Sequence, residues 1–268
     1  LFRSSPRDWS DHRDVVLKSL EWHSEGKRCW LQKTREENLW RIKCCQGEAD
    51  QTVGHLAVYI DDLLATGEKE VLKPFFDRVR QEWTISEPDW CEEDSTLRFC
   101  GLEVDRRGEG ILIHQESYIR DLLHRHGTQG SSTMSTVAVP EDEGEPCPSD
   151  VKRAQIVTGE LLWVATRSRP EISFPVALMC QWAVRRPKGT IRIGEEVRKY
   201  LNSTKGEGLF YQPLKDGDHG KTGHHQRERK REVVEVYCDA SFGSQEYKST
   251  SGFAAFYAGC PVFWLTVR

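Results

Sequence analysis

Two adjacent carboxylates in an apolar setting are the first chemistry this sequence offers. His55-Leu-Ala-Val-Tyr-Ile60 is a strand-like apolar run, Asp61-Asp62 interrupts it, and Leu63-Leu-Ala-Thr66 resumes it before Gly67. Two short apolar runs around a two-residue polar break read as a hairpin with acids at its tip. Carboxylates held side by side repel each other, and a divalent cation relieves that repulsion. Hard oxygen ligands suit Mg²⁺, which keeps coordination sites for water and substrate phosphates. Two such ions about 4 Å apart activate a hydroxyl and stabilise a leaving pyrophosphate. An ordinary type I′ turn, in which Asp is common, accounts for the same tetrapeptide. Other reactive residue types carry less. His224-His225 sits in a Gly/Lys/Arg stretch and reads as a solvated loop rather than a metal site. The Cys44-Cys45 pair has no His or Asp partner at a recognisable spacing for nucleophilic catalysis.

The elements that must position the acidic pair follow from periodicity. Val71, Leu72, Phe75, Phe76, Val79 and Trp83 fall at helical spacing, with Pro74 arguing for a late start or a kink. Leu97–Val104 and Ile111–Ile113 form a second hairpin with Gly108 and Gly110 in its turn. A short amphipathic helix over 115–126 presents Tyr118, Ile119, Leu122 and Leu123 on one face. Residues 127–150, with five acids between Glu141 and Asp150, read as a linker or exposed loop. Helical patterns follow near 150–168, 171–186 and 190–203, punctuated by Pro170, Pro187 and Gly206. Val233–Cys238, Gly252–Ala258 and Pro261–Val267 read as three strands. Residues 1–50, with Trp9, Trp22 and Trp30, are expected to be packed but irregular.

Composition sets the frame. With 268 residues, 37% hydrophobic and 30% charged, the chain is expected to hold one or two globular domains. No run approaches the ~18 apolar residues of a membrane span, and no signal peptide opens the chain. A net charge of −4 means that a polyanion partner needs a local basic face. Nine cysteines, an odd number with no C-x-x-C, argue against a disulfide framework or a zinc site and for reduced thiols in an intracellular, cytoplasmic or nuclear protein. The chain opens on Leu1 and stops within an apolar run at Arg268, so a fragment is expected, with elements missing at either end.

The series Tyr59-Ile-Asp-Asp-Leu-Leu64, an apolar helix, Phe99-Cys-Gly-Leu-Glu103, Ile113-His-Gln115 and Tyr118-Ile119 resembles the reverse transcriptase of copia-type LTR retrotransposons. Gly159–Arg167 with Arg169-Pro-Glu-Ile172 is similar to that family's G-x-L-x-Y-x-x-x-T-R-P-D-I block, with Trp163 and Glu171 at its Tyr and Asp positions. Arg198-Lys-Tyr-Leu-Asn-Ser-Thr204 with Gly208, Leu209 and Tyr211 is similar to its R-Y-L-x-x-T … G-L-x-Y block. Tyr237-Cys-Asp-Ala-Ser241, Lys248–Gly252 and Val262-Phe-Trp264 resemble the opening of its ribonuclease H domain. The ordered blocks span roughly residues 53–268.

The resemblance implies an α+β fold. An antiparallel palm-like sheet with helices is followed by a helical thumb and connection, then the first strands of an RNase H-like sheet. The implied divisions are 1–52 (partial N-terminal palm), 53–130 (palm C-terminal half with both hairpins, expected at one edge of a single sheet), 131–212 (thumb and connection helices), 213–232 (basic linker) and 233–268 (truncated ribonuclease H-like domain). It implies RNA-directed DNA polymerase chemistry with Mg²⁺ (or Mn²⁺), an RNA/DNA template-primer and dNTP as partners, and other polyprotein segments such as integrase alongside. Asp61 would be the metal ligand with Asp62 beside it, Tyr59 would lie near the primer terminus, and Phe99, Cys100 and Gly101 would form a primer-grip-like loop whose glycine admits close backbone approach. A bulge in a hairpin accounts equally for that glycine. Asp239 matches the first metal-binding aspartate of ribonuclease H, at the end of a central strand; a strand-ending, helix-capping or turn aspartate is the plain alternative. Ser249 and Thr250 match a family feature without a derivable role. Trp90 and Trp182 are placed as core anchors or base-stacking rings, and Arg227–Arg231 as a solvated linker or a phosphate contact. The sequence also departs from the pattern. The family's D-V-x-x-A-F-L-x-G block, which carries a further catalytic aspartate, does not occur in residues 1–52, and the chain is expected to stop before the remaining ribonuclease H acids. A non-catalytic remnant that at most binds nucleic acid is therefore the alternative.

Overall fold

The computed structural model describes residues 17, 20–36, 38–46, 49–60, 62–93, 95–133, 144–213, 234–242 and 249–267. Asp61, the basic run Arg227–Arg231, Trp9 and His224-His225 lie outside the described residues. The chain divides into two units, Leu1–Trp90 and Cys91–Arg268.

The first unit is a five-stranded antiparallel meander of β1 (Glu21–Ser24), β2 (Lys27–Lys33), β3 (Leu39–Gln46), β4 (Ala49–Tyr59) and β5 (Asp62–Gly67), paired in chain order, followed by helix α1 (Lys69–Glu82). One sheet face, carrying Trp22, Cys29, Leu31, Trp40, Ile42, Leu56 and Val58, forms a core with Val71, Leu72, Phe75 and Val79 of α1. The irregular N-terminal segment expected from the sequence is thus replaced by three strands and the start of a fourth. Arg41 and Lys43 alternate with the buried Trp40, Ile42 and Cys44, and such charges conceal a half-buried strand pattern.

α1 runs through Pro74 without interruption. Proline has no N–H for the carbonyl four residues back. That carbonyl, Glu70 O, accepts instead from Ser24 Oγ at 2.7 Å, and Trp22 Nε1 donates to the next one, Val71 O, at 3.1 Å. β1 therefore supplies the donor that the proline withholds, and the same bonds dock the strand on the helix.

Cys29 and Cys44 stand opposite each other on β2 and β3, both buried, and form a disulfide. This corrects the expectation of reduced thiols throughout. The spacing of 15 residues is meaningless until the β2–β3 register is known, and that register brings the two Cβ atoms together on the core face. Cys29–Cys44 is the disulfide among the described residues; Cys45, Cys91, Cys100, Cys147, Cys180, Cys238 and Cys260 are not disulfide-bonded.

The second unit contains a four-stranded antiparallel sheet, β6 (Thr96–Phe99), β7 (Leu102–Arg107), β8 (Gly110–His114) and β9 (Leu209–Tyr211), with helix α2 (Glu116–Arg125) after β8. Helices α3 (Pro148–Arg167), α4 (Ser173–Trp182) and α5 (Pro187–Ser203) follow, with a 3₁₀ turn at Pro170–Ile172. Ile119, Leu122, Leu161, Val164, Ile172, Val176, Met179, Val197 and Leu201 pack as their common core. The chain ends in a three-stranded antiparallel sheet of β10 (Val234–Ser241), β11 (Thr250–Tyr257) and β12 (Cys260–Val267). Trp264 Nε1 donates to Ala165 O of α3 at 2.7 Å, and Tyr211 Oη donates to Pro261 O at 2.8 Å, which ties β12 to the helices and to β9.

The mixture of helices with antiparallel sheets agrees with the α+β class. The acidic hairpin and the Gly101 hairpin, however, belong to different sheets, so the expectation of one shared sheet is corrected. The break at Trp90–Cys91, within a stretch with neither helical nor alternating apolar pattern, separates them.

Candidate functional site

The acidic turn closes β4 onto β5. Tyr59 pairs directly with Asp62, and Ile60 is a turn residue beyond the last strand pair. Tight hairpin turns match the twist of flanking strands when their central residues take positive φ. Ile60 does so, at φ 51°, although it is β-branched and this region costs such residues the most. Tyr59, Ile60 and Asp62 are all exposed, with Ile60 64% accessible. The Asp62 carboxylate is thus held at a solvent-facing tip, clear of the core. At the base of the hairpin Gly54 faces Gly67, and a Cβ on Gly54 would meet Thr66 O at 2.1 Å, so glycine there permits the close strand contact.

The second hairpin has the same construction. Phe99 pairs with Leu102, and Cys100 and Gly101 form the loop at φ 52° and 76°. Gly101 is therefore a turn residue, not a bulge. The space left by its missing side chain is occupied by the ring of Trp163 on α3, since a Cβ would come within 3.2 Å of Trp163 Cζ2. Arg167, one turn further along α3, lies over the same ring at 4.5 Å. Phe99 and Cys100 are half-buried and Gly101 is exposed.

Asp239 lies within β10, exposed, and its Oδ1 accepts from the Ala240 N–H at 2.9 Å. It caps no helix and closes no turn. Within the described three-stranded sheet β10 lies at one side, paired with β11. Thr250 opens β11 opposite Ser241, and Ser249 precedes it. Among the described residues no group of three or more His, Cys, Asp or Glu side chains converges as a metal site. Trp182 is buried with Arg186 over its ring at 4.3 Å, while Trp90 packs edge-on to Phe76 at 6.3 Å under Lys69. Both rings are occupied by protein neighbours.

Three arrangements escaped the sequence reading. His114 lies between Glu103, 3.6 Å from its Nδ1, and Asp105, 3.1 Å from its Nε2, with Ser117 N–H bonded to Glu103 at 2.8 Å. Burial pushes the Asp105 carboxyl up, but hydrogen bonds from Thr96 and Arg107 and the nearby His114 outweigh it and hold Asp105 below its ordinary range. Arg169, almost wholly buried, donates to Thr204 O at 2.8 Å, to Thr204 Oγ1 at 2.7 Å and to Glu171 at 2.5 Å. It thereby joins two of the sequence blocks through one guanidinium. Finally, a cleft of about 560 Å³ opens between α3, α4 and β12, lined by Thr166, Ala177, Cys180, Gln181, Arg185 and Trp264 among others. Burial pushes the Cys180 thiol up. The block residues were visible in sequence; which atoms they join depends on α3, α4 and α5 packing and was not.

No family model matches the chain, and no solved structure resembles it. Curated relatives do. A protein of Saccharomyces cerevisiae assigned to transposon Ty5-1 is 28% identical over 98% of this chain and 77% of its own length. The retrovirus-related Pol polyprotein from transposon RE1 of Arabidopsis thaliana is 23% identical over 80% of the chain, which spans only 14% of that polyprotein. An uncharacterized mitochondrial protein of the same plant is 24% identical over 80% of the chain and 83% of its own length. The chain is a homologue, at modest identity, of Ty5/copia-type retrotransposon Pol polyproteins. In the plant polyprotein the matching stretch is one segment among others. That relationship rests on sequence and not on a shared sheet.

Proposed function

We propose that the chain is a Pol-derived reverse transcriptase segment, an RNA-directed DNA polymerase part joined to the start of a ribonuclease H-like part. The observation that carries this reading is the acidic tip: Asp62 is exposed opposite Tyr59 at the end of a hairpin, within a chain related to Pol polyproteins. Asp61 and Asp62 would hold Mg²⁺ or Mn²⁺, which supplies charge stabilisation for phosphoryl transfer from a dNTP. Tyr59 and the Phe99-Cys100-Gly101 turn would contact the primer strand, and Asp239 would serve a separate ribonuclease H-like centre.

Two-metal chemistry needs more carboxylate than one tip provides. Residues 1–52 hold no D-V-x-x-A-F-L-x-G block, which favours the second reading, a non-catalytic remnant that at most binds nucleic acid. Primer extension separates the two. The chain alone, with Mg²⁺ or Mn²⁺, is expected to bind primer-template without extending it. A version carrying the upstream coding region is expected to extend the primer and to lose extension in Asp61→Asn. Binding without extension in both versions selects the remnant. Robust extension by the chain alone, abolished in Asp61→Asn, would show that the carboxylates within it suffice.

A further inference from the structure

The cleft between α3, α4 and β12 has no part in the proposed polymerase chemistry, and it lies wholly within the second unit. Its volume of about 560 Å³ falls within the roughly 300–1,000 Å³ of small-molecule sites. One wall is fixed in place, because Trp264 Nε1 donates to Ala165 O at 2.7 Å and fastens β12 to α3. That bond uses the indole's one donor, so Trp264 offers the cleft its ring alone. Leu162 and Leu265, both exposed, and Ala177 add apolar surface. Three polar groups break this lining. Gln181 Oε1 is buried and has no hydrogen-bond partner among the described residues. An amide oxygen withdrawn from water is costly until a donor reaches it. Thr166 donates its hydroxyl proton to Leu162 O at 2.8 Å and keeps only acceptor capacity. Arg185 is exposed, and it is the one charged side chain among the described residues that line the cleft. Residues 172–194 hold Arg185, Arg186, Lys188 and Arg192 and no acid, so no neighbour in sequence neutralises it. Burial pushes the Cys180 thiol up, which keeps it neutral near pH 7.

We propose that this cleft binds a small planar aromatic acid carrying a ring N–H, an indole-type carboxylate in chemical terms. The flat ring packs against Trp264 and the aliphatic walls. Its N–H donates to Gln181 Oε1, and its carboxylate pairs with Arg185, whose planar guanidinium matches the two oxygens of a carboxylate. Each feature of the ligand follows from the lining. The polar oxygens of Gln181 and Thr166 accept, so the ligand donates. The one charge is positive, so the ligand is an anion, and neither a carboxylate nor a thiolate lines the cleft to repel it. None of the residues at 59–62, 99–101 or 239 lines the cleft, so the site stands apart from the polymerase reading.

Saturation-transfer difference NMR titrations of the full chain with 3-(indol-3-yl)propionate test it, beside two matched probes: the N-methyl analogue, which lacks the donor, and 3-ethylindole, which lacks the charge. The acid is expected to bind with a dissociation constant on the order of 1 mM, and each matched probe about fivefold more weakly. Arg185→Gln, at an exposed position, is expected to weaken the acid about fivefold and to leave 3-ethylindole unchanged. Gln181→Leu is expected to weaken the acid and to leave the N-methyl analogue unchanged. Ala177→Trp, which fills the cleft, is expected to abolish binding of all three probes. Equal binding of the three probes by the parent chain, or an affinity for the acid unchanged in either Arg185→Gln or Gln181→Leu, overturns the proposal. Binding retained in Ala177→Trp places the probes elsewhere on the chain and overturns it too, as does the absence of saturable binding of the acid up to roughly 10 mM. Each of these results leaves the polymerase reading standing.

Discussion

Ile60 adopts a backbone conformation that its own side chain disfavours, and it does so at the exposed tip that the acidic pair defines. A left-handed β-branched residue costs on the order of 1–2 kcal/mol, so the surrounding strand pairing must hold it there. Asparagine tolerates this region far better. Ile60→Asn is therefore expected to raise stability by about 1 kcal/mol, read as an upward shift of the urea midpoint. Asp105 supplies a pH-dependent counterpart. Its folded carboxyl lies below its ordinary value, so its contribution is present above the unfolded carboxyl range, about 3.9, and is lost as pH falls through the folded value. Asp105→Asn is expected to be less stable than the parent chain at pH 6, with the gap narrowing toward pH 3 in urea titrations. An unchanging gap would mean that Asp105 contributes through packing alone. Asp62 was legible as an exposed turn acid because a polar pair breaks an apolar run. Asp105 was not, because Thr96, Arg107 and His114 come from separate stretches that only the β6–β7–β8 register assembles.

At the scale of elements, α1, both hairpins and α2 to α5 follow the apolar periodicity closely, since each buries a single face. β1 to β3 were missed because their outward positions hold Arg, Lys and Gln beside tryptophans, a pattern that mimics irregular structure. The Cys29–Cys44 link was missed for the same reason, a register error carried forward. It weakens the thiol argument for an intracellular setting by one pair. Closing a 15-residue loop is worth about 3 kcal/mol in the chain-entropy account. Adding reductant is accordingly expected to lower the urea stability of the first unit by about that amount. Cys29→Ala with Cys44→Ala is expected to be insensitive to reductant, and equal sensitivity in that variant would contradict the link. Glycine spacing in the G-L-x-Y block also acquires a cause. A Cβ on Gly208 would sit 2.3 Å from Ile113 O, so only glycine lets β9 pair with β8.

Across the whole molecule, the two units carry separate cores, and the residues proposed for polymerase chemistry at positions 59–62 belong to the first while Phe99 to Gly101 and Asp239 belong to the second. No described helix is long and apolar enough to cross a membrane. The closing sheet has a further consequence. On one face of β10 to β12, Val234, Val236, Phe263, Leu265 and Val267 are each more than two-fifths exposed, alongside the stacked pair Phe253 and Phe263 at 5.2 Å. Dyes such as ANS, whose emission rises on apolar surface and which commonly diagnose loosened folding intermediates, are expected to fluoresce with the fully native chain. Val236→Lys with Leu265→Glu is expected to dim that signal without moving the melting temperature. For this molecule dye brightness reports an uncovered sheet, and loss of tertiary order has to be followed by near-UV circular dichroism instead.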